Sequence, residues 1–363
     1  MVSENDSVRA MMYLSGLATS VPTARFTQAE CWAAVQLAPQ FPQLSARSHT
    51  LLRKVLSGDN GIATRHLAVA DLQDAFILTP DALHARFAAH APGLAGQAAA
   101  RALDLARLTA AQIDAVLIST CTGYLCPGLT SYVSEHLGLR ADVQTLDLVG
   151  QGCGAALPNW RTAEALLTAG RARHVLSVCV EVCSAAFYLD NDPGVLISSC
   201  LFGDGAAAAV LSAEPAAHQR QVAWKTASSF LDPQARDELR FEQRNGMLRN
   251  ILSRQVPALV AEHAGNLLTG MLRDYPLERG DITGWLLHAG GREVLAAVQN
   301  RLGLDTDELT RSAAVLREFG NVSSPFALFV LERALAENAP GGWWWLASYG
   351  AGFSCHGALL QVD

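Results

Sequence analysis

The sequence predicts an α/β fold built from two duplicated halves, with β-sheets covered by helices. Buried-strand patterns alternate with helix patterns along the chain, and two such series follow one another. Each series ends in a glycine-rich hairpin pattern. Alternation of this kind is typical of sheets with helices packed on their faces. We place the halves at residues 1–215 and 216–363.

The first half contains three strand patterns, two helix patterns and one hairpin. The segments are, in order, IDAVLIST, a helix ending in HLGL, LDLVG, a glycine-rich turn around Cys153, a helix to about Leu167, HVLSVCVEV and LFGDGAAAAVLS.

The second half repeats this order. The strand pattern ITGWLLH precedes a helix that ends in RLGL, and a glycine turn at Asn321 opens the next helix. Cys153 and Asn321 therefore take corresponding places, each just before a helix with proline in its first turns. A pseudo-two-fold axis between the halves would bring the two residues close together.

Composition indicates a globular protein with a large core, because hydrophobic residues make up 50% of the 363 residues and charged residues 17%. The net charge of −7 argues against nucleic acid or an anionic membrane as the main partner. The start MVSENDSVRAMMYLSG lacks the basic residues of a signal peptide, and no apolar run reaches the ~18–20 residues of a membrane span. Eight scattered cysteines suit reduced thiols. We expect a soluble, cytoplasmic protein.

Cys153 is the candidate nucleophile. A cysteine at a helix N-terminus lies in the field of unpaired N–H groups, which favours the thiolate, and the flanking glycines allow close approach to the sulfur. The alternative, a small thiol that fills core volume, is the interpretation we favour for Cys179, Cys183 and Cys200.

His288 and Asn321 are the candidate partners of this nucleophile. His288 ends the strand pattern GWLLH and is followed by Ala-Gly-Gly, which leaves space beside the imidazole. Asn321 could instead be an N-cap of the helix that follows it. A Cys–His–Asn set can also stabilise an enolate formed by decarboxylation, because histidine and asparagine N–H groups donate to its oxygen.

With these residues, the chain resembles the thiolase superfamily and, within it, the type III polyketide synthases (chalcone synthase-like enzymes). Two features favour these over the related β-ketoacyl-carrier-protein synthases III: the CPG at residues 126–128 and the GNVSSP around Asn321. The segments that carry the resemblance are CTGYLCPGLTSYVSEHLGL, GQGCGAALPN, LFGDGAAAAVL, LLHAGG, GNVSSPFALFVLERAL and YGAGFSCHGALL.

The resemblance implies a thiolase-like αβαβα layered fold and a homodimer. It implies that Cys153 takes an acyl group from a CoA thioester and that His288 keeps Cys153 as a thiolate. His288 and Asn321 would stabilise the decarboxylation of malonyl-CoA, and the enolate would attack the acyl-cysteine in a Claisen condensation. Cyclisation or release follows further rounds. No metal or bound organic cofactor is implied, since CoA thioesters are the substrates.

The resemblance also implies a substrate cavity. Phe202 matches a gatekeeper aromatic, and Asn250 matches the second gatekeeper position, where its polarity favours an aliphatic starter. Cys126 matches a methionine that reaches into the partner's cavity. The loop with the family pattern GFGPG reads SYGAG here. The remaining cavity residues are Cys121, Cys183, Ala186, Gly350 and Gly352, and the candidates for binding CoA phosphates are Arg53 and Lys54.

Three alternatives stay open. One is a single-condensation enzyme of the synthase III type, which takes CoA or carrier-protein thioesters. A thiolase would need a second cysteine near the C-terminal glycines, and Cys355 lies after them. The third is a non-catalytic acyl-CoA-binding dimer.

Overall fold

The computed structural model describes residues 12–363. Most of the segment on which the absence of a signal peptide was predicted lies outside the described residues. The α-helices are α1 (Gln28–Gln36), α2 (Ala46–Ser57), α3 (Pro80–Ala106), α4 (Leu129–Leu137), α5 (Ala156–Thr168), α6 (Pro193–Leu201), α7 (Val256–Asp274), α8 (Arg292–Leu302), α9 (Thr310–Phe319) and α10 (Phe326–Ala336). The β-strands are β1 (Met12–Ser20), β2 (Arg25–Thr27), β3 (Thr64–His66), β4 (Ala115–Ser119), β5 (Gln144–Leu148), β6 (His174–Glu181), β7 (Gly205–Ser212), β8 (Val222–Leu231), β9 (Leu239–Arg244), β10 (Met247–Leu252), β11 (Ile282–Leu287), β12 (Gly342–Gly350) and β13 (Ser354–Val362).

One large mixed sheet spans both halves, in the order β11-β12-β13-β8-β1-β7-β6-β4-β5. Outwards from β1, strands β7 and β6 are antiparallel to their inner neighbours, and β4 is parallel to β6. Outwards from β8, strands β13 and β12 are antiparallel, and β11 is parallel to β12. The same arrangement on both sides of the β1–β8 junction agrees with the predicted duplication.

Helices cover this sheet in layers. Helix α3 contacts β1, β6 and β7, while α7 contacts β8 and β13 of the other half. Helix α5 contacts strands of both halves, and α10 contacts β1, β11 and β12. Helices α5 and α10 thus form a central layer, and α10 is correspondingly buried from Phe326 to Leu331. The α/β, αβαβα layered fold predicted from the sequence is confirmed.

Small residues let α3 pack closely on the first half of the sheet. Strand β7 presents four consecutive buried alanines, Ala206–Ala209, and α3 contributes buried alanines such as Ala102 and Ala106. A Cβ added to Gly16 would lie 2.2 Å from the carbonyl oxygen of Ala102. Glycine at this position therefore allows the close contact between α3 and β1.

Strand ends bring the candidate residues together. His288 directly follows β11, and Tyr349 is the penultimate residue of its parallel neighbour β12. Cys153 follows β5, which is parallel to β4. Because β11 and β12 are parallel, His288 and Tyr349 lie at the same edge of the sheet, and the turn that carries Cys153 reaches them by packing against β12.

The proposed boundary at residue 215 falls in the loop between β7 and β8. Since the sheet is continuous across this loop, the division into 1–215 and 216–363 stays a prediction. Within residues 12–363, no helix combines the length and apolarity that a bilayer crossing requires.

Candidate active site

Cys153 lies in a tight turn between β5 and α5. A single 3-10 turn, Gly152–Gly154, carries the cysteine, and Gly152 has a positive φ of 56°. The turn packs against the β12–β13 hairpin so closely that a Cβ on Gly350 would lie 2.3 Å from the carbonyl oxygen of Gln151. Ser348, the serine of SYGAG, donates a hydrogen bond of 2.9 Å to the carbonyl of Gly154. The hairpin therefore fixes the position of the sulfur.

His288 extends β11 by one residue and is buried. Its backbone N–H donates to the carbonyl of Ala347, 2.9 Å away. The imidazole lies between two aromatic rings, Phe326 at a centroid distance of 5.1 Å and Tyr349 at 6.3 Å. The imidazole is therefore packed against two aromatic rings at the cavity wall.

Hydrogen bonds within its own loop orient the Asn321 amide. Its Oδ1 accepts from the N–H of Ser323 (2.9 Å), so the amide nitrogen points the other way and donates to the carbonyl of Gly290 (3.2 Å). The amide nitrogen has a second N–H that this contact does not use. Helix α10 begins at Phe326 with Pro325 as N-cap, so Asn321 is not the helix cap that the sequence left open as its alternative role.

The backbone of Asn321 is paired with the segment around Phe202. Asn321 N–H donates to the carbonyl of Leu201 (2.9 Å), and its carbonyl accepts from Gly203 N–H (3.0 Å). This forms an isolated parallel bridge between Phe202 and Asn321. Main-chain hydrogen bonds thus join the segment of the predicted gatekeeper, Phe202, to the predicted catalytic residue, Asn321.

One open cavity of about 1340 Å³ contacts Cys153, His288 and Asn321. Its walls also include Tyr349, Phe202 and Asn250. The structure therefore brings the three predicted catalytic residues together on a single space large enough for a thioester substrate.

Burial dominates the ionisation of the nucleophile and the histidine. It raises the pKa of the Cys153 thiol to about 12, against a smaller lowering by the hydrogen bond from Ser323. It lowers the pKa of His288 to about 3. In this structure both groups are therefore neutral, and the thiolate expected from the sequence is not supported, because desolvation disfavours both charged forms.

Ser323 links the nucleophile to a buried polar network. Its hydroxyl donates to Cys153 Sγ at 3.2 Å and lies 3.5 Å from Cys121 Sγ. Ser323 has a positive φ of 59°, which is unusual for a residue with a Cβ. The Cys121 thiol donates to the Glu181 carboxyl at 3.3 Å.

Glu181 is a fully buried carboxyl at the end of β6. It accepts hydrogen bonds from the hydroxyls of Thr122 (2.8 Å) and Ser324 and from the N–H of Cys121 (3.0 Å). Burial raises the pKa of this carboxyl. The sequence analysis missed Glu181 and Ser323, although a glutamate in the otherwise apolar run HVLSVCVEV was a visible signal.

A small chamber lies beside the large cavity. Its volume is about 10 Å³, roughly the space of one water molecule. The Asn250 side chain forms part of its wall, and the Asn250 Oδ1 is buried without a hydrogen-bond partner within residues 12–363. Phe241, opposite Asn250 in the β9–β10 hairpin, is a lining residue that the sequence analysis missed. The full lining is Thr122, Cys183, Ala186, Phe187, Ser198, Ser199, Phe202, Phe241 and Asn250.

Some predicted residues lie outside both spaces. Cys126 is exposed. Gly350 and Gly352 form the β12–β13 turn behind the nucleophile and do not line a cavity. Cys121 contacts the site only through Ser323 and Glu181. Cys355, open as a second thiolase cysteine, is buried in the core.

Four basic side chains line the large cavity. On α2, Arg47 and Lys54 face it, whereas Arg53 does not, so the structure does not place Arg53 where the sequence analysis expected it. Arg254 and Arg292 complete the group, and Arg292 forms an ion pair of 3.1 Å with Asp59. No group of three His, Cys, Asp or Glu side chains in the described part of the chain could hold a metal ion.

Comparison with known proteins identifies the family. Residues 23–229 match the family described as FAE1/Type III polyketide synthase-like protein. The chain belongs to the type III polyketide synthase family. Residues 225–361 match the chalcone and stilbene synthase C-terminal domain.

Relatives and a solved structure agree with this assignment. The 1,3,6,8-tetrahydroxynaphthalene synthase of Streptomyces peucetius subsp. caesius is 32% identical over 349 residues, 94% of this chain and 91% of that protein. The 3,5-dihydroxyphenylacetyl-CoA synthase of Streptomyces toyocaensis is 35% identical over 251 residues, but the match spans 67% of this chain and 64% of that synthase. PKS-I of the brown alga Ectocarpus siliculosus superimposes with a TM-score of 0.89 at 27% identity, covering 98% of this chain and 100% of that chain. The predicted family and its acyltransferase class are confirmed.

Proposed function

We propose that this type III polyketide synthase loads an acyl group from a CoA thioester onto Cys153 and extends it with malonyl-CoA. The observation that carries the proposal is the placement of Cys153, His288 and Asn321 on one cavity, with the Asn321 amide nitrogen oriented by its neighbours. Each condensation loses CO2, and cyclisation or release ends the sequence.

Loading requires that the Cys153 thiol lose its proton. Because the thiol and the imidazole are both neutral in this structure, His288 takes the proton as Cys153 Sγ attacks the thioester carbonyl. The CoA sulfur leaves and receives that proton, which returns His288 to its neutral form. The Ser323 hydroxyl, 3.2 Å from Sγ, supports the developing negative charge on the sulfur.

Decarboxylation uses the other two residues as donors. With its pKa lowered, His288 is a neutral donor rather than a cation. An N–H of His288 and the free N–H of Asn321 would hold the carbonyl oxygen of malonyl-CoA while the carboxylate leaves as CO2. The resulting enolate carbon attacks the acyl carbonyl on Cys153. The Cys153 sulfur leaves as a thiolate and takes up one proton from water, and the chain, lengthened by two carbons, is carried by CoA.

The basic residues at the mouth support CoA as the carrier. Arg47, Lys54 and Arg254 line the entrance, and none of the ion pairs found within residues 12–363 involves them. Cationic side chains at this place can bind the phosphates of CoA. We therefore propose that Arg47 and Lys54, and not Arg53, bind the CoA phosphates.

The cavity walls support an aliphatic starter. Apolar side chains of α6, β10 and α7 line the large cavity, and Asn250 leaves no aromatic ring at the second gatekeeper position. The apolar wall residues are Ile197, Leu201, Leu252, Val256 and Val260.

An exposed edge strand supports a homodimer. Strand β5 ends the sheet, and it and its flanking residues expose Leu146 at 40% and Val149 at 60%. An edge strand with exposed apolar side chains is a surface that another copy can cover. Cys126 is exposed, and Tyr124 is 70% exposed. Light scattering of the purified chain tests the dimer.

The thiols support a reducing compartment such as the cytoplasm. All eight cysteines are free, and six of them are buried. Buried free thiols are typical of proteins that do not rely on disulfides for stability.

The test of this function uses purified protein, malonyl-CoA and a panel of short, long-chain and aromatic acyl-CoAs. Mass spectrometry of the products and of the intact protein follows each reaction. The proposal expects an acyl adduct that is lost in Cys153→Ala, and products containing two or more malonyl units. Cys153→Ala should keep malonyl decarboxylation, since His288 and Asn321 remain. One condensation only, or none without a carrier protein, would favour the single-condensation enzyme.

A further inference from the structure

Two neighbouring polar atoms at the active site have no hydrogen-bond partner within the described chain. They are Nδ1 of His288 and the hydroxyl oxygen of Tyr349. The two residues are 3% and 2% exposed. Buried polar atoms are nearly always paired, so each of these two atoms is expected to have a hydrogen-bond partner.

The fold holds the two rings side by side. Strands β11 and β12 are parallel neighbours, and His288 is hydrogen-bonded to Ala347, two residues before Tyr349. The ring centroids are 6.3 Å apart. At this centroid separation a tyrosine hydroxyl can reach an imidazole nitrogen directly or through one bridging water. Phe326, the other aromatic residue that contacts the imidazole, has no polar atom in its side chain.

The protonation of the two groups makes the pair complementary. Burial lowers the pKa of His288, so the imidazole is neutral, with one nitrogen carrying the proton and the other accepting. Burial also raises the pKa of Tyr349 well above its ordinary value, so its hydroxyl remains a donor. A hydrogen bond to one imidazole nitrogen determines which nitrogen carries the proton.

We propose that the Tyr349 hydroxyl is the hydrogen-bond partner of His288 Nδ1 during the reaction, directly or through one water. Tyr349 is then a positioning residue, which holds the imidazole proton on Nε2 while malonyl-CoA is decarboxylated. This inference rests on the proposed function, in which a neutral His288 donates to the malonyl thioester. In the loading step the Tyr349 hydroxyl instead accepts from a protonated Nδ1, which leaves Nε2 free to take the Cys153 proton. The family loop pattern GFGPG has phenylalanine here, so the hydroxyl distinguishes this chain from that pattern.

The test is Tyr349→Phe, which removes the hydroxyl and keeps the ring. Malonyl-CoA decarboxylation is measured without a starter, since this step needs His288 but no acyl-cysteine. The expected result is a fall in kcat of about tenfold with an unchanged KM, as the loss of one hydrogen bond predicts. Tyr188→Phe is the matched control, because Tyr188 is buried but does not line either cavity. It should decarboxylate at the normal rate.

A second measurement does not depend on the variant. Nitrogen-15 NMR of ring-labelled histidine, with His288 assigned by comparison with His288→Gln, should show the proton on Nε2 in the natural protein once the starter has acylated Cys153. A proton on Nδ1, or a Tyr349→Phe enzyme that decarboxylates normally, overturns the inference and leaves the proposed function standing. If the natural protein itself does not decarboxylate malonyl-CoA, the proposed function fails and this inference fails with it.

Discussion

Replacing Phe241 by alanine is expected to lengthen the polyketide product. The chamber that Phe241 shares with Asn250 and Phe202 has a volume of only about 10 Å³. Each condensation adds two carbons and one oxygen, so removal of the phenyl ring makes room for about two further units in a close-packed interior. The main product should therefore gain one or two malonyl units.

The stability cost of this change is tolerable. Truncating a fully buried phenylalanine to alanine costs about 3–5 kcal/mol, and Phe241 is only half-buried, so we expect about 2 kcal/mol. Thermal unfolding of the variant, compared with that of the natural protein, measures this cost.

The assay counts malonyl units in each product by mass spectrometry with carbon-13 malonyl-CoA and one fixed starter. Gln243→Ala is the control, because Gln243 lies on the same strand, is exposed, and does not line the chamber. Unchanged product lengths from folded Phe241→Ala would refute the reasoning and show that the chain grows in the large cavity instead.

Three further predictions concern the catalytic residues and the cavity mouth. Asn321→Ala should lower the rate of malonyl-CoA decarboxylation by about 100-fold, the typical effect of losing one oxyanion donor. Acylation of Cys153 should persist in intact-protein mass spectra. Near-normal turnover would show that Asn321 does not take part in the mechanism. Lys54→Ala should raise the KM for CoA esters several-fold, whereas Arg53→Ala should not, because only Lys54 of these two lines the cavity. If the two variants have the same KM, Lys54 does not bind the CoA phosphates. Burial lowers the pKa of His288 to about 3, so the histidine stays neutral as the pH falls from 7 to 5. Decarboxylation should therefore not decline through protonation of His288 over this range. A loss of activity centred near pH 6.5 that disappears in His288→Gln would contradict this.

The candidate catalytic residues could be chosen from the sequence because each carries a local signal. Cys153 and Asn321 take equivalent places of a repeated pattern, His288 ends a strand pattern before two glycines, and the structure brings all three to one cavity. The fold class followed from the same repetition.

The residues that sequence reasoning missed depend on tertiary contacts. Phe241 reaches the chamber because the β9–β10 hairpin packs there, and no local pattern fixes where a hairpin docks. Ser323 contacts Cys153 across 170 positions of sequence. Arg53 does not line the cavity, since helical spacing from the cavity-lining Arg47 reaches Lys54 rather than Arg53.

The ionisation of the site could not be predicted from the sequence either. A helix start and a histidine suggest a thiolate, but the depth of burial decides the balance of charges, and burial is a property of the folded chain. The same limit applies to Tyr349, whose unpaired hydroxyl is visible only when its neighbours are in place.

The bridge between Phe202 and Asn321 consists of main-chain hydrogen bonds, so it does not depend on which side chain is present at position 202. Substitutions there can reshape the space around the growing chain without moving the Asn321 amide, which we propose stabilises the enolate. Product choice and bond-forming chemistry are therefore separable in this molecule, although they reside in adjacent residues. A library restricted to position 202 and the chamber walls should consequently yield many altered products and few inactive enzymes.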